Sequence, residues 1–243
     1  MALVPWGIRA AGLRMQVGTS AELAEAGHEV LAEVWRAKGV TPAAGARSYG
    51  ERYDRATTWI VAFDGTRPVG VMGLLDMRIA SMALDYGNHT VPRWLDLTTT
   101  REIGRLAILP RHRGGGQAAM TALVLTMYRQ ALSMKLEKLF SGSTLSLFHM
   151  YRRFNPTGRL ISAADAGPED PARARYFAPL RAYGGPGVLY TFDVEGASPS
   201  DVAYRFVTGR LGKTEERMSP ANSRATERAA QRDSTVTGKG HGA

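Results

Sequence analysis

The sequence predicts an α/β fold with a mixed central sheet flanked by helices, and three observations carry that prediction. Short apolar runs of strand character alternate with stretches of helical period between residues 13 and 194. Two of the runs are joined by a tight Asp64-Gly65 turn of the hairpin kind. A third run ends in Leu109-Pro110, and a glycine-rich turn then leads directly into a long helical pattern. The chain has 243 residues, of which 44% are hydrophobic and 22% charged, enough for a sizeable core. Residues 1–195 are expected to form one α/β domain. Residues 196–243 are expected to form a basic, partly disordered tail, with a short helix from Ser200 to Leu211 and a polar end from Ser219 to Ala243 that is poor in large apolar side chains.

The elements follow in order. Leu13 to Val17 has strand character, and Gly18-Thr-Ser20 offers an N-cap to a helix from Ala21 to Lys38. Leu23, Val30, Leu31, Val34 and Trp35 recur at helical spacing along it. Thr58 to Phe63 and Pro68 to Met77 are the two hairpin strands. The connection from Arg78 to Thr100 is too long for an undecorated loop and is expected to carry structure. Glu102 to Leu109 is a strand, Ala118 to Tyr128 a helix, Lys135 to Ser141 a strand and Leu145 to Phe154 a helix. Leu160 to Ala163 and Val188 to Val194 are late strands separated by a loop rich in Pro, Arg and Gly. The resulting succession is β-α-β-β-β-α-β-α-β.

Composition narrows the function classes. The chain has no cysteine, so thiolate catalysis and disulfides are excluded. His28, His89, His112, His149 and His241 are scattered, none in a metal-ligand pair at helical spacing, and no metal is expected. No apolar run approaches the ~20 residues of a membrane span, and the N-terminal apolar stretch is too short for a signal peptide. A soluble, cytoplasmic protein is the expectation. The net charge of +9 divides into +3 on residues 196–243 and +6 on the rest. A basic body suits an anionic partner. Aromatics make up only 8% and do not interleave with basic residues, which argues against nucleic acid as that partner.

The segment Ile108-Leu-Pro-Arg-His-Arg113-Gly-Gly-Gly116-Gln-Ala118 points to chemistry. Glycines let the chain turn tightly into a helix N-terminus, whose free N–H groups and dipole favour a phosphate. No Walker lysine follows, and the dinucleotide spacing G-x-G-x-x-G is missing. The plain alternative is a linking loop. The segment resembles the pyrophosphate-binding motif of the GNAT acyltransferase superfamily, R-G-x-G-x-[GA] after a strand ending in x-x-P, with Arg113, Gly114, Gly116 and Ala118 at its positions. The order of elements is also that of the GNAT fold. The resemblance implies that Ile108, Arg113, Gly114, Gly115, Gly116, Gln117, Ala118 and Ala119 hold the phosphate of a pantetheine thioester.

Two residues are candidates for catalysis under that resemblance. Tyr151 lies in His149-Met-Tyr-Arg-Arg-Phe154, similar to the late GNAT helix whose tyrosine hydroxyl sits near the thioester sulfur. Leu147, Phe148, Tyr151 and Phe154 share a helical face, so a core tyrosine with a satisfied hydroxyl is the other reading. Asn155-Pro156 stands where family members often have Gly-Phe. Glu102 lies where many acyltransferases place a proton-accepting carboxylate, and Arg105 follows it in Glu-x-x-Arg. Strict alternation would send these two side chains to opposite faces, but a bulge at Gly104 would bring both toward one cleft. A carboxylate beside Arg keeps a low pKa and serves for positioning more than as a base. An exposed ion pair at the strand end is the competing reading.

The string Glu102-Ile-Gly-Arg-Leu-Ala-Ile resembles a signature of the acyl-homoserine lactone synthases and the related N-acyl amino acid synthases. Val34-Trp35-Arg36 and Tyr49-Gly-Glu-Arg-Tyr53-Asp54 are similar to their early substrate segments, which makes Trp35, Arg36, Asp54 and Arg105 candidate substrate-binding residues. Val69 to Leu75 lacks the arginine usual in lactone synthases, which favours the amino acid branch. The implied activity is N-acyl transfer from acyl carrier protein or acyl-CoA to a small-molecule amine, for which an amino acid is a candidate. No permanently bound cofactor is implied. An acidic carrier protein would suit the basic body by electrostatic steering. The rivals are an acetyl-CoA-dependent N-acetyltransferase and a non-catalytic protein of the same fold that senses acyl thioesters or binds nucleic acid. Arg111 and His112 flank the turn, either touching the ligand or only solvating it.

Overall fold

A computed structural model describes residues 12–40, 46–113, 118–182 and 187–195, with backbone alone at 46–49 and 153–154. Seven strands, β1 (Arg14–Gly18), β2 (Thr57–Asp64), β3 (Arg67–Leu75), β4 (Thr100–Ile108), β5 (Lys138–Ser143), β6 (Arg159–Ile161) and β7 (Val188–Asp193), form one sheet in the order β1-β2-β3-β4-β5-β7-β6. Only β4 and β5 pair in parallel among these strands. Helix α4 (Ala118–Ser133) makes the crossover that a parallel pair needs. The hairpin between β2 and β3 closes on the pair Asp64–Arg67, with Gly65 at φ 60° supplying the left-handed turn residue.

Two helical layers cover the sheet. On one face lies α1 (Ala21–Ala37), whose N-cap Ser20 accepts from the Leu23 N–H at 3.3 Å. Its buried residues Gly27, Val30 and Val34 recur at helical spacing. A Cβ on Gly27 would stand 2.6 Å from the Trp59 ring, so glycine here permits a close approach of helix to sheet. Trp59 is itself fully buried and cannot retreat. Gly27→Ala is therefore expected to lower stability by about 2 kcal/mol in urea unfolding, overpacking outweighing alanine's helix propensity. On the other face lies α4, with Leu123 over Gly70. The same layer holds α5 (Leu145–Phe154), capped at Thr144, which accepts from the Leu147 N–H.

Two helices depart from the sequence reading, and a third gives form to the long connection. α2 (Ala46–Ala56) runs directly into β2 from a segment given no element, and α3 (Met82–Gly87) lies in the long connection that was expected to carry structure. α6 (Pro171–Ala182) occupies what the composition marks as a loop. Its start was nevertheless encoded. Asp170 caps it, accepting from the Ala172 N–H at 2.8 Å, and Pro171 fills the first helical position. Proline content concealed the signal. α6 then buries Phe177 against Tyr53 of α2 and Tyr86 of α3. Arg52 and Tyr53 converge on Asp85 at 2.7 and 2.8 Å, joining α2 to α3.

Asn155, at the end of α5, is buried and links the helix to β7. Its Nδ2 donates to the Asp193 carbonyl at 2.9 Å, while its Oδ1 accepts from the Thr157 N–H and hydroxyl. This side chain gives Asn155-Pro156 a structural task of its own. Among the described residues no helix is long and apolar enough to cross a membrane.

Candidate active site

The sheet forks at one point. β4 and β5 pair only at Thr100–Lys138, Arg101–Leu139 and Glu102–Phe140, although β4 runs on to Ile108 and β5 to Ser143. Past the last pair, the Ser141 hydroxyl donates to the Ile103 carbonyl at 2.9 Å. β4 stays paired with β3 and β5 with β7. The opening is therefore a wedge within an otherwise continuous sheet, edged by strand backbone.

Glu102 sits at its apex, on the α1–α3 face. The side chain is buried. Its Oε2 accepts from the Ser81 hydroxyl at 2.5 Å and its Oε1 from the Ala83 N–H at 2.9 Å. Ser81 also caps α3, accepting from the Leu84 N–H, so the helix start and the carboxylate share one anchor. Burial dominates the ionisation and pushes the carboxyl up to about 7, against the two hydrogen bonds that favour the anion. Gly104 leaves room beside it, since a Cβ there would meet Leu75 at 3.2 Å and the Glu102 carboxylate at 3.6 Å.

A bulge is present, but just past Gly104 rather than at the glycine, where it was expected. Gly73 pairs with Gly104 and Val71 with Ala107, so Arg105 and Leu106 together oppose Met72. Arg105 is the residue in the left-handed region, at φ 57°. The bulge brings Arg105 to the same face as Glu102, with its guanidinium 4.5 Å above the Trp59 ring. Its ionic partner is Asp54 of α2 at 2.7 Å, not Glu102. That pairing explains why Glu102 departs from the low pKa expected of a carboxylate beside Arg. The contact with Asp54 is ionic rather than a well-aligned hydrogen bond, and the buried Arg105 Nε has no acceptor. His28 of α1 completes the group, 3.0 Å from Asp54 Oδ2 and edge-on to Trp59. Burial raises the Asp54 carboxyl, but the His28 hydrogen bond and the Arg105 charge hold it below the usual range.

Tyr151 lies on the opposite face. Its ring is buried 6.2 Å from that of Phe192 and 6.4 Å from that of Tyr190. Burial raises its phenol strongly, with Tyr190 and Tyr128 adding to the effect. It is therefore a protonated donor at neutral pH.

The flanks of the glycine turn are described, but Gly114, Gly115, Gly116 and Gln117 lie outside the described residues. Ile108 closes β4, Pro110–His112 form a 3-10 turn, and α4 starts at Ala118 with Ala119 buried beside it. Arg113 turns back to donate to the Ile108 carbonyl at 2.7 Å. Arg111 contacts His112, and His112 approaches Asp64 at 3.8 Å. Trp35 and Arg36 stand in the last turn of α1, about 10 Å along the axis from His28. Trp35 is half-buried under the Lys38 ammonium, and Arg36 is exposed. The fold thus gathers Glu102, Arg105 and Asp54 on one face, leaves Trp35 and Arg36 apart, and sets Tyr151 across the sheet.

The sequence reading missed His28, Ser81, Ser141 and Tyr190. Ser81 carried a weak cap signal before a short helix. Tyr190 stood beside Thr191 in a mostly apolar strand, with nothing local to set its hydroxyl apart. His28 and Ser141 had no local signal, because their partners lie far away in sequence. Among the described residues no group of His, Asp or Glu could hold a metal ion.

No protein-family model matches the sequence, and no curated protein is detectably similar to it. Solved structures do match. One is a CoA-dependent acyl-homoserine lactone synthase, BjaI, with SAM and isopentyl-CoA, at 14% identity and TM-score 0.53, covering 84% of this chain and 91% of that one. Another is FeeM, an N-acyl amino acid synthase from uncultured soil microbes, at 12% identity and TM-score 0.50, covering 75% of this chain and 90% of that one. The fold is that of the GNAT acyltransferases, as the order of elements implied.

Proposed function

We propose that this protein is an N-acyltransferase that moves an acyl group from a pantetheine thioester to a small-molecule amine. The observation that carries the reading is the fork between β4 and β5 with Glu102 buried at its apex. An extended chain bearing amide groups can enter such a fork and complete the strand edges. The residues from Arg113 to Ala119 would hold the phosphate at its far end. The amine approaches from the Glu102 face, and the unfilled Nε of Arg105 suits the carboxylate of an amino acid acceptor.

The chemistry follows from the environments. A carboxyl near 7 is half ionised at neutral pH, suitable for taking a proton from an amine. The nitrogen lone pair forms the C–N bond, and the carbonyl π pair moves to oxygen. Glu102 takes the surplus proton of nitrogen, the pair returns from oxygen, and the C–S bond breaks. Tyr151 supplies the proton on the departing sulfur and regains one from solvent. Burial makes its phenolate costly, so cleavage of the C–S bond must drive that transfer. In the finer reading the donor is acyl carrier protein and the acceptor an amino acid, supported by the Glu-x-x-Arg string, the basic body and the Arg105 site. The plain acetyl-CoA-dependent enzyme is the rival.

The test offers purified full-length protein acyl carrier protein and CoA donors of several chain lengths with a panel of amino acids, and reads products by mass spectrometry. N-acyl amino acids from the carrier protein are expected. Short-chain transfer from CoA alone would remove the carrier-protein version, and no acylated product from any donor would remove the reading itself.

A further inference from the structure

Acyl transfer asks a protein for a base, an acid and a donor to the carbonyl oxygen as charge gathers there. Glu102 and Tyr151 take the first two tasks, and no side chain has yet taken the third. One group is unexplained. Tyr190 of β7 is fully enclosed, and its hydroxyl makes no hydrogen bond. A buried hydroxyl left without a partner destabilises the fold, and phenylalanine would fill the same space without that cost.

Its position connects it to the fork. Tyr190 pairs with Ser141 across β5 and β7, so both side chains stand on one face of the sheet. Ser141 is the residue whose hydroxyl reaches the Ile103 carbonyl where β4 and β5 part. The Tyr190 ring is fixed there by Phe148 at 4.9 Å and Phe192 at 5.3 Å. Burial raises the phenol, the hydroxyls of Ser141 and Ser143 pull the other way, and the Glu102 charge acts on it as well. The group is therefore a protonated donor beside the fork, packed among aromatic rings, with the Ser141 and Ser143 hydroxyls near it but no well-aligned recipient.

The geometry assigns Tyr190 as a further catalytic residue, whose hydroxyl donates a hydrogen bond to the carbonyl oxygen of the thioester lodged in the fork. The assignment rests on the acyl-transfer reading. No proton leaves Tyr190. The bond strengthens as the π pair moves onto oxygen and weakens when the C–S bond breaks and the carbonyl re-forms. Tyr151 acts on a different atom, the sulfur.

Tyr190→Phe tests the assignment in the full chain. Octanoyl-CoA carrying ¹³C at the carbonyl is bound without amine, and the carbonyl stretch is read by difference infrared spectroscopy. Wild type is expected to lower that frequency relative to the free thioester. The variant should bind octanoyl-CoA with similar affinity but without the shift, unfold at the same or a higher temperature, and lose about 10²-fold in kcat with little change in KM. An equal shift in both proteins, or an unchanged kcat in the variant, overturns the assignment while leaving acyl transfer intact. If wild type binds neither octanoyl-CoA nor octanoyl carrier protein, the acyl-transfer reading fails and takes this one with it.

Discussion

Glu102→Gln is expected to lower kcat/KM by about 10²–10⁴, the usual contribution of a positioned acid–base group. In wild type, kcat/KM should rise with pH through about 7, as the buried carboxyl loses its proton. That limb should disappear in the variant. Stability should move the opposite way. The folded carboxyl titrates near 7, above its ordinary 4.5, so the folded state holds this proton more tightly than the unfolded chain. Wild type should therefore lose stability as pH rises from about 4.5 to about 7, and the deficit should be complete above that range. Glutamine carries no such charge, so the variant should melt at a higher temperature than wild type at pH 8 and gain little at pH 4. Kinetic loss together with thermal gain identifies a residue kept for chemistry at a cost in stability.

Removing the Arg105 side chain should produce the largest loss of stability. Arg105→Ala leaves Asp54 without its buried cation and Trp59 without the guanidinium above its ring. The expected cost is about 3 kcal/mol, at the lower end for a broken buried pair because Asp54 is partly open to solvent. Arg105→Gly loses the same contacts but relieves the left-handed backbone, so it should be about 1 kcal/mol more stable than the alanine variant in urea unfolding. Equal stabilities would show that the bulge stores no strain. Under the proposed reaction both variants should bind an amino acid acceptor poorly, raising its KM more than they lower kcat, because the guanidinium would position the acceptor and exchange no proton.

Much of this fold was legible in the chain. Caps and periodicity are local signals. Ser20, the Asp64-Gly65 turn and the bounds of α5 from Leu145 to Phe154 all appear where the residues put them. α6 was missed because prolines masked its Asp170-Pro171 start. The site was legible in part. Glu-x-x-Arg with a glycine inside it pointed to a bulge and to a shared face, and the register between β3 and β4 contains that bulge. The identity of the strained residue, Arg105 and not Gly104, was set by how Gly73 and Gly104 meet across the strands.

The sequence by itself determined the order of elements, the glycine turn between a strand and a helix, and the spacing of Glu102 from Arg105. Only the tertiary structure decided what those residues became. Glu102 titrates near neutrality because burial outweighs its hydrogen bonds from Ser81 and Ala83 while Asp54 draws Arg105 away. The Tyr190 hydroxyl is left without a well-aligned partner where β7 sets it opposite Ser141 at the fork. Propensity and periodicity act between near neighbours along the chain. Desolvation and charge pairing depend on which distant segments close around a group, and that is where the chemistry of this protein was fixed.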